Sequence, residues 1–265
     1  MIESNEFNPI TMRKELLYNP RILLERIAEE SKRIRRVRKL KNTFVTETTD
    51  GHLTTLEFIE LARDSYKLKV AYDIGANVGS WTQLAKALVP ELEVHGFEPI
   101  PKFQEKYIRA TKNIPNTSLH KVGLGNSDKE ATMCFAGDAT SFYELGPLLT
   151  SFFPSVVKSG EETVNMVRLD DYVEKNHLPF PDIMKLDIEG YEVEALKGAV
   201  KCMAHCKYLI LEVSFVERHI GQPLFPEVVY FLAQHGFHIL SFPVQMHTAQ
   251  KIYWTDVLFE NRNIA

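Results

Sequence analysis

The sequence predicts an α/β protein with a mainly parallel, doubly wound sheet, and two observations support this class. Short β-rich runs alternate along the chain with amphipathic helical stretches such as SWTQLAKALVP and YEVEALKGAVKCM. The run VAYDI is also followed directly by the glycine turn and helix start GANVGSW, the order expected of a strand-turn-helix unit. Size and composition agree, because 265 residues with 45% hydrophobic and 25% charged side chains can bury a globular core.

The N-terminal part differs in charge from the rest of the chain. The net charge is −4, yet residues 11–41 hold eleven Lys or Arg against four Glu, an excess of seven positive charges. Apolar residues recur through this arm at helical spacing. Such an arm can bind nucleic acid or a membrane surface, or it can be a helix docked on its own domain or on a second subunit. We therefore predict a helical, basic extension over residues 1–67, a route to a homo-oligomer, and a single domain over residues 68–265.

Several protein classes are excluded by what the sequence lacks. The chain has no apolar run of the roughly 18 residues that span a bilayer, and its first residues, MIESNEFNPI, do not resemble a signal peptide. Its three cysteines show neither CxxC nor zinc spacing. We expect a soluble, cytoplasmic protein without a structural metal.

Seven candidate strands follow the extension, in the order KVAYDI, EVHGFE, SLHKVGL, DIMKLDI, YLILEV, FHILSF and TDVLFE. The last two are predicted to form an antiparallel pair at one edge of the sheet. Residues 126–181, between the third and fourth of these strands, are less regular. There ATMCFAG and NMVRLDDYV predict extra strands, and clustered aromatic residues predict a lid over a ligand.

The glycine turn after the first strand predicts a ligand site, because ligands of open parallel sheets lie beyond the carboxyl ends of the strands. Gly75 permits a tight turn, small Ala76 leaves the backbone uncovered, and Gly79 lets the next helix pack closely. The spacing is G-x-x-x-G, which is neither the dinucleotide nor the triphosphate pattern. Asp73, just before the turn, would repel a phosphate and attract a cation or an amino group.

Glu98 ends the second strand, 23 residues after Gly75, where an acid can accept hydrogen bonds from ribose hydroxyls. We include the neighbouring Pro99 among the cofactor-binding candidates. A ribose and a cation without phosphate together indicate S-adenosylmethionine. The alternative is that Asp73 caps a turn and Glu98 is simply solvated.

The motifs DIGANVG, GFEPIP, VGLGNSD, VRLDDYV, KLDIEGYEVEALKGA and LEVSF, in this order, resemble the FkbM-type S-adenosylmethionine-dependent methyltransferases over residues 68–260. The resemblance implies the class I methyltransferase (Rossmann-like) fold with strand order 3-2-1-4-5-7-6, the last strand antiparallel. It also implies O-methylation of small molecules or sugars. It would place Asp73, Gly75, Asn77 and Gly79 around the methionine end of the cofactor, and Gly125 and Asn126 beside adenine.

An acidic rim follows the fourth strand in KLDIEGYE. Asp187 can orient the cofactor's amino group or act as a base, Asp187 and Glu189 can bind Mg²⁺, or Glu189 and Glu192 can cap a helix. Lys185 shares a face with Asp187 and can pair with it or steer a substrate hydroxyl. His219, after the fifth strand, is a candidate general base near neutral pH.

We therefore expect an S-adenosylmethionine-dependent O-methyltransferase that acts on a small molecule or a carbohydrate. Two alternatives remain open. The basic arm would suit a nucleic-acid methyltransferase, although the acidic body and the absence of an N/D-P-P-F/Y/W motif argue against it. A binding module that holds the cofactor without turnover is the other.

Overall fold

The computed structural model describes residues 34–40, 50–243 and 252–265, together with the single positions 31, 43 and 45. Most of the basic arm, on which the nucleic-acid, membrane and oligomer interpretations depend, therefore lies outside the described residues. Ten strands are present in the described part of the chain: β1 Val70–Ile74, β2 Glu93–Phe97, β3 Thr117–His120, β4 Gly123–Leu124, β5 Lys129–Phe135, β6 Gly160–Val167, β7 Ile183–Leu186, β8 Tyr208–Ser214, β9 Phe237–Ser241 and β10 Trp254–Asn261.

Seven of these strands form the main sheet, in the order β3-β2-β1-β7-β8-β10-β9. β3, β2, β1, β7 and β8 run parallel, whereas β10 is antiparallel to both β8 and β9. Numbered within this sheet alone, the order is 3-2-1-4-5-7-6 with an antiparallel last strand, so the predicted topology is confirmed. The order reverses between β1 and β7, and this switch point is where an open sheet leaves a crevice for a ligand.

The helices of the described residues cover both faces of the sheet. Apart from the helical residues 34–40, they are α1 Asp50–Thr54, α2 Leu56–Ser65, α3 Ser80–Leu88, α4 Pro101–Thr111, α5 Pro147–Phe152, α6 Leu169–Asn176, α7 Glu192–Lys197, α8 Val200–His205 and α9 Phe225–Gln234. None of them is long and apolar enough to cross a membrane. The sequence of α3 explains its packing, because its apolar side chains Trp81, Leu84 and Ala85 are buried against the sheet. Gly79, just before the helix, adopts a positive φ of 86°.

The irregular stretch after β3 forms a second, three-stranded sheet in the order β4-β6-β5. The prediction of one strand over SLHKVGL was wrong, since β3 ends at His120 and β4 belongs to the second sheet. NMVRLDDYV was also only partly a strand: β6 ends at Val167, and α6 begins at Leu169. A reason is the Asp170 carboxylate, which accepts hydrogen bonds from the backbone amides of Lys201 and Cys202 at 2.8 and 2.9 Å and so anchors α6 to α8.

The helices α1 and α2 pack on the same sheet face as α3. Their side chains Leu53, Leu56 and Phe58 belong to one apolar cluster with residues of β1, β7, β8 and β10. Residues 34–40 are helical and lie outside α2, where Arg36 pairs with Glu57 at 2.8 Å and Lys39 pairs with Glu60 at 2.7 Å. The domain boundary at residue 67 and an oligomer through this region stay predictions.

Candidate functional site

A cavity of about 430 Å³ opens at the carboxyl ends of β1, β2 and β7, the switch point of the sheet. Its volume lies in the range of small-molecule sites. Five carboxylates line it, namely Glu98, Asp187, Glu189, Glu212 and Asp256. Among the described lining residues there is one lysine, Lys106, and no arginine, so the cavity suits a cationic ligand better than an anionic one.

Gly75 forms the turn that opens this cavity. Its φ is +78°, and a Cβ added to it would lie only 2.1 Å from the carbonyl oxygen of Asp187. The amides of Gly75 and Ala76 both donate to the Phe97 carbonyl, at 3.0 and 3.1 Å, which holds the turn against β2. Only glycine can therefore occupy this position while the ends of β1 and β7 stay this close.

Of the other residues of the predicted glycine turn, one lines the cavity and two are packed inside the protein. Asn77, with a positive φ of 47°, lines the cavity together with Gly75. Ala76 is buried and Gly79 packs against Tyr107, so neither belongs to the lining. The asparagine tolerates the left-handed backbone that this tight turn requires.

Glu98 presents its carboxylate to the cavity from the end of β2. The amide of Asn77 donates to Oε2 at 2.9 Å and the amide of Ile100 donates to Oε1 at 2.8 Å. Burial raises the pKa of Glu98 to about 7, although these two hydrogen bonds oppose the shift. Each oxygen keeps acceptor capacity beyond its backbone donor, so vicinal hydroxyls of a ribose can be bound here, and Pro99 lines the cavity beside it.

A row of charged residues crosses the sheet next to this turn. Within each of four adjacent strands, one apolar residue faces the helices α1 and α2: Ala71, Ile183, Ile210 and Leu258. Since alternate residues of a strand share a face, the positions two residues closer to the cavity must face the same way. Those positions are Asp73, Lys185, Glu212 and Asp256. The alternation of each strand therefore brings the charges together.

Lys185 lies at the centre of this row. Its Nζ is 3.1 Å from Oδ2 of Asp187 and 4.0 Å from Oδ1 of Asp73, and the side chain is only 2% exposed. Burial alone would lower the Lys185 pKa, but the two carboxylates outweigh it and raise that pKa. Burial alone would raise the Asp187 pKa, but the positive charge of Lys185 outweighs burial and lowers that pKa below its usual value. Lys185 and Asp187 are therefore an ion pair at neutral pH.

Asp73 is placed behind the cavity and does not line it. The carboxylate is fully buried, and its Oδ2 accepts a hydrogen bond from Thr82 Oγ1 at 2.7 Å. Its Oδ1 has no hydrogen-bond partner among the described residues and faces the charge of Lys185 at 4.0 Å. Burial raises the Asp73 pKa, although Lys185 and Thr82 oppose this effect. The geometry therefore gives Asp73 a supporting position beneath the turn.

The loop after β7 is strained and held by Arg218. Glu189 and Gly190 have positive φ values of 54° and 95°, and the Glu192 carboxylate accepts the amides of Ile188 and Gly190 at 3.0 and 3.2 Å. Arg218 binds Glu189 at 3.3 Å and also binds Glu212, while its guanidinium stacks on Trp254. Burial, followed by the nearby Glu212, raises the Glu189 pKa well above its usual value.

Asp187, Glu189 and Glu212 each place one oxygen within 4.8 Å of the others. This spacing could hold a metal ion, in line with the Mg²⁺ alternative. Arg218 already binds two of the three acids, and Lys185 binds the third. We therefore carry no metal into the proposed function, and the Mg²⁺ alternative stays a prediction.

Three other predicted site residues lie away from the cavity lining. His219 is fully buried, with its ring nitrogens next to Gln222 Oε1 at 3.3 Å and the Ala139 carbonyl at 3.2 Å, so this conformation does not offer it as a base to a ligand. Gly125 packs against Met166, and Asn126 is exposed and donates to Glu194. Val122, Gly123 and Leu124 line the cavity where Gly125 and Asn126 were expected.

The predicted lid segment contributes to the cavity wall through Gly137, Thr140 and Phe142. Ser141 fixes it in place: its hydroxyl donates to the Glu189 carbonyl at 2.8 Å, and the residue is fully buried. Phe142 also packs on Tyr191, with ring centroids 4.9 Å apart. The segment is thereby tied to the strained loop that carries Glu189.

Sequence reasoning missed His52 and Asp256, which line the acidic end of the cavity. Oδ2 of Asp256 accepts a hydrogen bond from Thr54 Oγ1 at 3.0 Å. Arg218 was missed as well. A signal existed for Asp256, since TDVLFE places an acid two residues before the core position Leu258, but its use required the register between β10 and β8.

The sheet order and the acid-lined crevice at its switch point define a class I methyltransferase fold. The chain belongs to the FkbM methyltransferase family, because residues 73–239 match the methyltransferase FkbM domain. This confirms the family resemblance drawn from the motifs. Both His52 and Asp256 lie outside the matched residues.

Several characterised proteins are similar to this chain at low identity. The hexuronic acid methyltransferase AglP of Haloferax volcanii is 26% identical over 145 residues, which are 54% of this chain and 55% of that protein. The 31-O-demethyl-FK506 methyltransferase FkbM of Streptomyces tacrolimicus is 26% identical over 203 residues, 65% of this chain and 74% of that protein. The 2-O-methyltransferase NoeI of Sinorhizobium fredii is 25% identical over 163 residues, 58% and 66% of the two chains. The match thus spans about half the length of AglP.

Proposed function

We propose that this protein transfers a methyl group from S-adenosylmethionine to a hydroxyl group of a small molecule or a sugar. The observation that carries the proposal is the acid-lined cavity beside the Gly75 turn, in which Glu98 is fixed by two backbone amides. The names of three related proteins support the same reaction class, since they refer to a hexuronic acid, to 31-O-demethyl-FK506 and to a 2-O position.

The residues of the cavity fit this cofactor. Glu98 would accept the ribose hydroxyls, and the Gly75–Asn77 backbone would contact the methionine end. The apolar side chains Ile100, Phe103 and Leu124 would surround the adenine. A ligand that carries an ammonium and a sulfonium but no phosphate suits a lining with five carboxylates and, among its described residues, one lysine.

The bound cofactor supplies a methyl group on a positively charged sulfur, so most of the protein's task is to position the acceptor. A neutral hydroxyl must also lose its proton, which requires a base within hydrogen-bond reach. The acidic end of the cavity, formed by Asp187, Glu189, Glu212 and Asp256, lies next to the turn. The acceptor would therefore bind at this end, with Phe142 of the lid segment as a further wall.

Calorimetric titration with S-adenosylmethionine and S-adenosylhomocysteine tests the cofactor assignment. Loss of a hydrogen bond to a charged group costs about 1.5–3 kcal/mol, so Glu98→Gln should weaken binding roughly 10- to 150-fold. Glu105→Gln is the matched control, because Glu105 is exposed on the following helix α4 and lies outside the cavity lining. It should bind as wild type does. A folded wild type that binds neither compound would overturn the proposal.

Turnover separates an enzyme from a module that only binds the cofactor. Protein incubated with methyl-labelled S-adenosylmethionine and a panel of hydroxyl compounds, glucose and glucuronic acid among them, should release S-adenosylhomocysteine and a labelled product. Cofactor binding without release of S-adenosylhomocysteine from any acceptor would favour the binding module. Label transferred to added RNA or DNA, and lost at high salt, would favour the nucleic-acid alternative.

A further inference from the structure

Asp256 differs from the other acids at this end of the cavity because it is not paired with a cation from the described part of the chain. Asp187 is paired with Lys185 at 3.1 Å, and both Glu189 and Glu212 are bound by Arg218. Among the described residues, no Lys, Arg or His side chain lies within ion-pair distance of Asp256. Glu98, the fifth acid of the lining, is held by two backbone amides at the ribose side of the cavity. Asp256 is therefore the acid at the acceptor end whose carboxylate is not engaged by a cation of the described chain.

The position of Asp256 follows from the sheet register. It is the direct antiparallel partner of Glu212 across β10 and β8, and directly opposed residues point to the same face. Thr54, at the end of α1, holds Oδ2 through its hydroxyl at 3.0 Å. This fixes the rotamer of the acid without neutralising its charge. His52, two residues before Thr54, lines the same end of the cavity.

We propose that Asp256 is the general base of the methyl transfer and that Thr54 is its positioning residue. The inference deepens the function proposed above and rests on it. The acceptor's O–H proton passes to the Asp256 carboxylate as the acceptor oxygen bonds to the methyl carbon. The carbon–sulfur bond breaks, and its electron pair remains on sulfur, so charge and atoms balance. The family-matched residues 73–239 contain neither Thr54 nor Asp256.

The electrostatic surroundings of Asp256 agree with this role. Burial, followed by the charges of Asp187 and Glu212, raises its pKa to about 7, while Lys185 and the Thr54 hydrogen bond oppose the shift. On α1, burial lowers the pKa of His52 to about 4, so this ring is neutral at physiological pH and adds no positive charge. A base whose pKa lies near the working pH combines availability with proton affinity.

The first measurement is a ¹³C NMR titration of the full-length protein, labelled at aspartate carboxyls and saturated with S-adenosylhomocysteine. Asp256→Asn assigns the resonance, which should titrate near pH 7 and not near the usual value of about 3.9. Thr54→Val should raise the midpoint, because it removes a donor to the carboxylate. Thr55→Val, whose hydroxyl bonds the His52 carbonyl in the same segment, is the control and should leave the midpoint unchanged.

The second measurement is turnover with glucose and glucuronic acid as probes. Asp256→Asn should lower kcat about 100- to 1000-fold while its affinity for S-adenosylhomocysteine stays within threefold of wild type. The acid limb of kcat/KM for wild type should lie near pH 7 and should move upward in Thr54→Val. Glu260→Gln, an acid at the far end of β10 that pairs with Lys207, should retain wild-type rates.

The NMR titration and the turnover assay distinguish a wrong acceptor from a wrong assignment of the base. If wild type methylates neither probe, these two sugars are not its acceptors, and the titration alone decides on Asp256. A midpoint near pH 4 overturns the base assignment, whether or not the sugars react. So does an Asp256→Asn variant that keeps its rate within threefold of wild type.

Discussion

Gly75→Ala is the substitution whose effect the structure defines most sharply. A methyl group at this position would lie 2.1 Å from the Asp187 carbonyl oxygen and 2.8 Å from Cγ2 of Ile188. A carbon and a carbonyl oxygen normally approach no closer than about 3.3 Å, so the two chain segments must separate by about 1 Å. The nearby hydrogen bond from the Asp187 amide to the Ile74 carbonyl, now 3.1 Å long, would be lost in that movement.

The expected destabilisation can be built from its parts. Placing alanine at a φ of +78° costs about 1–2 kcal/mol. Loss of the Asp187–Ile74 hydrogen bond adds about 0.5–1.5 kcal/mol. Loosened packing at the ends of β1 and β7 brings the loss in the free energy of unfolding to about 3 kcal/mol. Cofactor affinity should fall as well, because the same movement displaces the backbone that lines the cavity.

Urea unfolding with two matched glycine controls measures each contribution. Gly221 has a similar φ of +79° but nothing within 4 Å of an added Cβ, so Gly221→Ala should lose only the backbone part, about 1–2 kcal/mol. Gly160 has neither a positive φ nor a close neighbour, and Gly160→Ala should unfold as wild type does. If Gly75→Ala loses no more stability than Gly221→Ala, the close approach of β1 and β7 is not the constraint described above.

Three further predictions concern the charged and aromatic groups around the cavity. Asp73→Asn weakens the buried ion pair with Lys185, so it should lower the free energy of unfolding in urea titrations by about 2 kcal/mol. The affinity for S-adenosylhomocysteine should stay within threefold of wild type. A large loss of affinity would place Asp73 on the cofactor. Arg218→Gln should lower the melting temperature more at pH 8 than at pH 5, because Glu189 and Glu212 need a cation only when ionised; an equal loss at both pH values would contradict this. Burial, with a smaller contribution from His95, lowers the pKa of His120 to about 4. As the pH falls, His120 is therefore protonated in the unfolded chain before it is protonated in the folded protein. Between about pH 6.5 and about pH 4, wild type should lose roughly 2 kcal/mol of stability relative to His120→Phe, after allowance for partial exposure of the ring. A stability difference between the two proteins that does not change with pH would refute this.

Local sequence patterns predicted the class of the main sheet but neither its strand order nor the placement of every site residue. Strand alternation and the late antiparallel pair predicted a mainly parallel sheet with an antiparallel edge, and the resemblance to the FkbM-type methyltransferases implied the strand order that the structure shows. The glycine turn located the cavity because a positive φ is a local requirement that one residue type meets. The position of Asp73 just before the turn was readable from the sequence, but whether its side chain meets the cavity or a helix was not. The helices α1 and α2 decide it, and they cover Asp73.

The packing of α1 and α2 on the sheet also explains why no sequence motif revealed the acidic end of the cavity. Asp187 and Glu189 stand in a recognisable run, whereas Asp256 becomes part of the site only when β10 inserts antiparallel beside β8 and opposes Glu212. Thr54 then reaches Asp256 from a helix more than 200 positions earlier in the chain. Both contacts depend on the core that α1 and α2 share with the central strands.

The Gly75 turn connects the two halves of the cavity. On one side its amide donates to the carbonyl of Phe97, the residue just before Glu98, which would bind the ribose. On the other side it packs against the carbonyl of Asp187, whose carboxylate pairs with Lys185 of the row of charges. A change in this turn would therefore displace the donor site and the acceptor end together, whereas Glu98→Gln would affect only the first and Asp256→Asn only the second. If Gly75→Ala weakened cofactor binding while the Asp256 carboxyl still titrated near pH 7, the two halves would be independent, and the close packing of β1 against β7 would matter for the donor alone.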